Sequence, residues 1–242
     1  MCSHYQAEKR RKQIEKRFHI TLPPDWEPPP GGLHIYPSYV APFIRRPSER
    51  ESGDEAVPAF ELNEGYFGLL PSWAKDTKYC KNTYNARTET VATKASYKGA
   101  WAKPRHCIVL CEAIYEPDWR PGKPVPTRFT RADDETLGVA GLWWPWKNPK
   151  TGQWESSFTM LTVNAANHPQ FMHMHRPEDE KRMVAILPEA QYEEWLDAPA
   201  DRSMDFMNQY PAERLIMTPE PLPAKEVKTK VERAKPKQPS LF

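Results

Sequence analysis

Cysteine follows the initiator methionine directly, in Met1-Cys2-Ser3-His4-Tyr5. A small second residue allows methionine aminopeptidase to expose Cys2 as the mature amino terminus. The residue then carries two nucleophiles, an α-amine titrating at ~7.7–8.0 and a thiol at ~8.5 when unperturbed. The amine can attack an aldehyde to give an imine, and the thiol can close on the same carbon as a five-membered thiazolidine. Many chains begin Met-Cys by chance, so other residues must support the reading. Three further blocks set polar groups in apolar surroundings. Leu70-Pro71-Ser72-Trp73-Ala74 precedes Tyr84-Asn85-Ala86-Arg87-Thr88-Glu89-Thr90. Ala113-Ile114-Tyr115-Glu116-Pro117 ends an apolar run in a carboxylate. Met172-His173-Met174-His175-Arg176-Pro177 leads to Arg182-Met183.

These blocks need a scaffold, and 242 residues suffice for one sizeable domain or two small ones. Proline (27) and tryptophan (9) are abundant, which favours many fixed, irregular connections over a helical bundle. No apolar run is long enough to span a membrane, and no secretory core follows Met1, so a cytoplasmic, nucleoid-associated protein is expected. Cys2, Cys80, Cys107 and Cys111 contain no Cys-x-x-Cys pair. The seven histidines and four cysteines show no ligand spacing, so neither a metal nor a cofactor is expected. Net charge is only +2, but basic residues gather at Lys9–Arg17 and again among Lys225, Lys228, Lys230, Arg233, Lys235 and Lys237. Such runs are usually just solvated; the functional alternative is a footprint for phosphates.

Periodicity predicts a helix over residues 6–18 with Ile14 and Phe18 on one face, then an irregular proline-rich connection over 22–58 with an extended piece at 33–36. Strands are predicted at 65–70, 107–115, 127–130, 136–144, 157–164 and 183–186, and helices at 91–101, 188–196 and 203–210. Together these imply an α+β fold, one domain over residues 1–218 around a curved, largely antiparallel sheet or barrel. Residues 219–242 read as a disordered basic tail rich in proline and lysine.

In this order and spacing the four blocks resemble the SOS-response-associated peptidase (SRAP) domain, a family that processes abasic sites. The resemblance runs from Cys2 to about Leu187. It implies a protein that binds single-stranded DNA and crosslinks Cys2, as a thiazolidine, to the ring-opened abasic sugar, shielding the lesion. AP lyase and autoproteolytic activities are possible accompaniments. Opening the sugar calls for an acid or base near the ring oxygen, and Glu116 is the candidate, although alone it reads equally as a solvated strand-end carboxylate. Burial would raise its pKa toward the working range. His175 is the second proton-transfer candidate, favoured over His173 because it directly precedes Arg176-Pro177. Asn85 would orient the Cys2 amine or the sugar, though asparagine more often caps turns. By the resemblance Arg87 and Arg182 would contact DNA, and Trp73 and Pro37 would support unstacked bases. His4 stands where many members carry a phosphate-contacting arginine, Ser3 replaces a frequent glycine, and Pro117 a frequent tryptophan.

The last residues, Gln238-Pro239-Ser240-Leu241-Phe242, resemble the bacterial sliding-clamp peptide, whose Leu-Phe anchors dock in an apolar pocket. The expected protein is a monomer. The main alternative is an N-terminal-nucleophile cysteine amidohydrolase or peptidase, which explains Cys2 and Asn85 but not Glu116, His175 and the basic segments as a set. A third is a single-strand-binding module in which Cys2 is incidental.

Overall fold

The computed structural model describes residues 2–28, 34–49 and 54–220. In chain order its elements are β1 (His4–Ala7), α1 (Arg11–Phe18), β2 (His34–Ile35), β3 (Val40–Arg45), β4 (Glu61–Phe67), β5 (Asn85–Arg87), α2 (Lys98–Ala102), β6 (His106–Asp118), β7 (Val125–Arg131), β8 (Leu137–Lys147), β9 (Trp154–Asn164), β10 (Arg182–Val184), β11 (Ile186–Leu187), α3 (Tyr192–Asp197) and β12 (Leu215–Pro219). Short 3₁₀ turns include Thr77–Asn82 and Phe171–His173. The α+β class expected from the sequence is the one observed.

The sheet closes on itself. β6 pairs with β3, β3 with β4, β4 with β9, β9 with β8, and β8 returns to β6. This five-strand ring is antiparallel apart from the β4–β9 pairing. Closure leaves no free edge within the ring and encloses one core. Phe43 and Phe67 meet Phe158 with ring centroids 5.2 and 5.5 Å away, and Tyr5 abuts Phe67 edge-on at 5.2 Å. Burying each such aromatic contributes roughly 1.5–3 kcal/mol. Outside the ring, Phe18 of α1 stacks on Tyr192 of α3, and Trp195 Nε1 of α3 donates to the Cys107 carbonyl at 2.9 Å.

Gly141 of β8 stands where two ladders converge. A Cβ there would lie 2.6 Å from the Thr159 carbonyl oxygen and 2.9 Å from Cys107 Sγ. Backbone cannot retreat as a side-chain tip can, so Gly141→Ala is expected to destabilise the fold by about 1–3 kcal/mol. Denaturant unfolding monitored by tryptophan fluorescence measures this.

Several elements depart from the sequence reading. Gln6 and Ala7, expected to open the helix, instead close β1, because Tyr5 and Ala7 alternate into the core. The buried Glu8 carboxylate accepts from the backbone N–H groups of Lys9 and Arg10, which delays the helix to Arg11. β3 lies inside the connection read as irregular. Its Pro42 is tolerated because pairing with β6 is confined to Phe43 and Ile44. The helix predicted over 91–101 is helical only from Lys98, and it runs on to Ala102. Upstream, Thr90 and Thr93 hold successive turns, with Thr93 Oγ1 donating to the Thr90 carbonyl. The helix expected over 188–196 begins as a 3₁₀ turn and becomes α-helical at Tyr192; that expected over 203–210 is only the 3₁₀ turn Ser203–Phe206. Pro219, read as the start of the tail, closes β12 opposite Thr127, and the rest of the expected tail lies outside the described residues.

Candidate active site

β1 and β6 run antiparallel, with His4 opposite Tyr115 and Tyr5 opposite Ile114. Continued by two residues, that register carries Cys2 alongside Glu116 and Pro117. Cys2 is fully buried, and its thiol donates to the His4 carbonyl at 3.4 Å. Asn85, the first residue of β5, donates from Nδ2 to the Cys2 carbonyl at 3.0 Å. β5 is fixed in turn by parallel pairing with β9, Asn85 opposite Met160, and by the Tyr97 hydroxyl donating to the Asn85 carbonyl at 3.0 Å.

Glu116 is buried and accepts His175 Nε2 at 2.8 Å. His175 reaches it from the loop after the Phe171–His173 turn. Its φ of 61° lies in the left-handed region, sparsely populated for a residue with a Cβ. His175 N–H donates to the Pro117 carbonyl at 2.8 Å, and Asp118 bridges Met174 in antiparallel fashion. The loop is thereby joined to β6 just beyond Glu116. His173 sits elsewhere, close enough to Asp118 to lower the pKa of that carboxyl, after the larger effect of Arg120. The structure therefore brings Cys2, Asn85, Glu116 and His175 together and sets His173 apart.

Electrostatics departs from expectation at Glu116. Burial pushes its pKa up, but the amino terminus of the unprocessed chain and then His175 outweigh burial, and the net direction is down. The group is a carboxylate at neutral pH. Burial and then Glu116 push the Cys2 thiol well up, against a smaller lowering by the amino terminus. An apolar site beside a carboxylate disfavours a thiolate and favours a cation.

The remaining sequence-nominated residues surround this centre in different environments. Arg87, at the end of β5, is part-exposed and pairs with Glu180 at 2.6 Å. Arg182 is fully buried, and its guanidinium is committed to Thr162, Glu89 and Glu180. Its donors thus tie β10 to β9 and to the Glu89 turn rather than facing outward. Trp73 is 54% exposed and meets Tyr79 edge-on at 5.0 Å, beside a cavity of about 390 Å³ that Lys75, Lys78 and Asn82 also line. Pro37 occupies the turn between β2 and β3, which Ser38 Oγ ties to the Thr77 carbonyl. His4 Nε2 lies 2.7 Å from His34 Nδ1, and its ring is stacked between Tyr36 and Tyr115. Burial and His34 bring its pKa down to about 4, so it is neutral at physiological pH, unlike an arginine.

Sequence reasoning missed two neighbours. Tyr84, whose phenol is pushed up by burial, Glu116 and Cys2, flanks the site; its place directly before Asn85 was the available signal. Lys181 fastens the His175 loop, with no local pattern to announce it. Among the described residues no group of three His, Cys, Asp or Glu side chains could hold a metal ion, and no helix is long and apolar enough to cross a membrane.

Known proteins share this arrangement of chain. The chain is 32% identical over 178 residues to the abasic site processing protein HMCES of Gallus gallus, covering 63% of this chain and 50% of that protein. It thus spans half the length of that relative. To the abasic site processing protein YoqW of Bacillus subtilis it is 28% identical over 211 residues, 86% of this chain and 84% of the relative. A crystal structure of a Bordetella bronchiseptica protein superposes with a TM-score of 0.80 at 45% identity, covering 91% of this chain and all of that one. The sequence model of the SOS response associated peptidase (SRAP) family matches residues 1–233, and the chain belongs to that family.

Proposed function

We propose that the protein binds single-stranded DNA at abasic sites and, once Met1 is removed, bonds covalently to the lesion through Cys2. The observation that carries this reading is the placement of Cys2 beside the buried Glu116–His175 pair, with Asn85 fixing the Cys2 carbonyl. The raised thiol pKa supports attack by the amine first. The neutral amine adds to C1′ of the ring-opened sugar, giving a carbinolamine. Its hydroxyl leaves as water with a proton from the Glu116–His175 pair, the resulting iminium nitrogen returns a proton to the pair, and an imine results. The thiol then adds across the C=N bond: sulfur bonds to carbon, and the thiol proton ends on nitrogen. One water is released overall, and the thiazolidine withdraws the imine from which strand cleavage by β-elimination would begin. The same raised thiol weighs against an amidohydrolase, whose cysteine needs thiolate character to attack an amide.

DNA would lie across the rim of the site. Arg87 is a part-exposed cation two residues from Asn85, and Trp73 offers an unstacked base an open face. His4, neutral and stacked, would contact the strand through its ring rather than by charge. Pro37 would act beside Tyr36, and Arg182 through the position of Glu180, which it shares with Arg87. Gln238, Ser240, Leu241 and Phe242, outside the described residues, are proposed to bind a sliding clamp. Deleting residues 238–242 is then expected to abolish clamp capture in a pull-down, and unchanged capture would refute that interaction.

The test of the function is a denaturing gel. Protein with a mass-verified free Cys2 amine is mixed with single-stranded DNA carrying one abasic site, or with the same strand undamaged. A heat- and detergent-stable band with the damaged strand only, one water lighter than the sum of the components, is expected. Absence of that band would overturn the proposal.

A further inference from the structure

His175 occupies a left-handed backbone conformation that its side chain disfavours, so something must hold it there. One hydrogen bond to Pro117 secures its own N–H. Its carbonyl and those on either side are gathered by a single group: Lys181 Nζ donates to the carbonyls of Met174 at 2.9 Å, His175 at 3.3 Å and Arg176 at 2.6 Å. An ammonium has three donors, and here each meets a carbonyl. The lysine is itself anchored. Its carbonyl accepts from Ala165 N–H at 2.8 Å, and the next residue opens β10, paired to β9 at Arg182–Asn164. The charged segment 176–180 loops out between the two anchors, with a turn closed from Asp179 N–H to the Arg176 carbonyl.

We infer that Lys181 is a positioning residue for His175: by gathering the carbonyls around it, the ammonium holds the imidazole on Glu116. The inference rests on the proposed role of the Glu116–His175 pair. Without the ammonium, three carbonyl dipoles point at one another, and the loop relaxes toward ordinary negative φ. The imidazole then leaves hydrogen-bonding distance of Glu116. Arginine would not replace lysine, because a planar fork cannot direct donors at three carbonyls around one point.

A double-mutant cycle on the full chain tests this. Lys181→Met and Lys181→Arg are each made alone and with His175→Gln. Single-turnover crosslinking to abasic single-stranded DNA is measured beside non-covalent binding to a strand carrying a tetrahydrofuran analogue, which has no aldehyde. Lys181→Met alone is expected to slow crosslinking about tenfold through misplacement of the imidazole, with analogue binding within about twofold of the parent. In the His175→Gln background the same change is expected to have less than about a twofold effect, since the group it positions is gone. Lys181→Arg is expected to lie between, and runs through the same cycle if the methionine variant does not fold. A parental rate for the Lys181 variants, or an equal loss with and without His175, overturns the inference. The reading of the site fails differently: His175→Gln alone would crosslink at the parental rate.

Discussion

Cys2→Ala is expected to abolish the proposed heat-stable crosslink while leaving a weaker adduct that borohydride can trap. Alanine at position 2 still allows Met1 to be removed, so the α-amine is present and forms an imine with the abasic aldehyde. Without sulfur no ring closes, and the imine hydrolyses on heating. The stable band is therefore expected to fall to background, and a band is expected to reappear only when reductant is added during the reaction. The two readouts separate the amine's role from the thiol's. If the stable band persists in Cys2→Ala, sulfur is not the atom that closes the product. If neither treatment yields a band, the amine does not reach the aldehyde. Cys2 is fully buried, but alanine removes only one sulfur from it, so loss of folding would not account for the result. A retained unfolding transition verifies this.

Glu116→Gln is expected to slow crosslinking by about 10²–10⁴-fold, the usual contribution of a positioned acid–base group. The variant also moves the thiol in a direction that sharpens the test. Burial and then Glu116 hold the Cys2 thiol pKa up, so removing the carboxylate lowers it. Alkylation of Cys2 by iodoacetamide, followed as a peptide by mass spectrometry, is expected to shift to lower pH in Glu116→Gln while crosslinking becomes slower. A more ionisable thiol with a slower reaction places the deficit in proton transfer, not in nucleophile strength. Crosslinking within threefold of the parent would exclude Glu116 from the chemistry. Stability should follow the same charge. The folded pKa of Glu116 is depressed, so its contribution is present above the unfolded value of about 4.5 and is lost as pH falls through the folded value. The parent protein should lose that component on acidification below about pH 4.5, and the glutamine variant should lack it.

The sequence carried the long apolar strands and the polar blocks embedded in them. β6, β8 and β9 are buried along most of their length, so they stand out as apolar runs whatever their partners. β3 and β1 were hidden for identifiable reasons. Pro42 resembles a strand breaker until the pairing shows that β6 does not use that position. The basic residues after Ala7 blend into a helix until Glu8 is seen capturing the N–H groups of Lys9 and Arg10. Arg182, nominated from its motif as a DNA contact, proves to be a buried tie between strands, because a motif conveys the residue and not the direction of its fork.

What the sequence determined by itself was which groups are available: a thiol at Cys2 that would be joined by a free α-amine on removal of Met1, a carboxylate ending an apolar strand, an imidazole before Arg176-Pro177, and the amide of Asn85. Those are properties of covalent identity and local order. Tertiary structure decided which of them meet and in what state of charge. The β1–β6 register sets Cys2 beside Glu116, and the loop anchored at Pro117 and Lys181 turns His175 rather than His173 onto that carboxylate. The direction of the Glu116 pKa was decided there as well. Burial alone would have raised it, as the sequence suggested, but the amino terminus of the unprocessed chain and His175, supplied by distant parts of the chain, bring it down. Electrostatic energy depends on distance in space and on the local medium, and neither is written in the order of the residues.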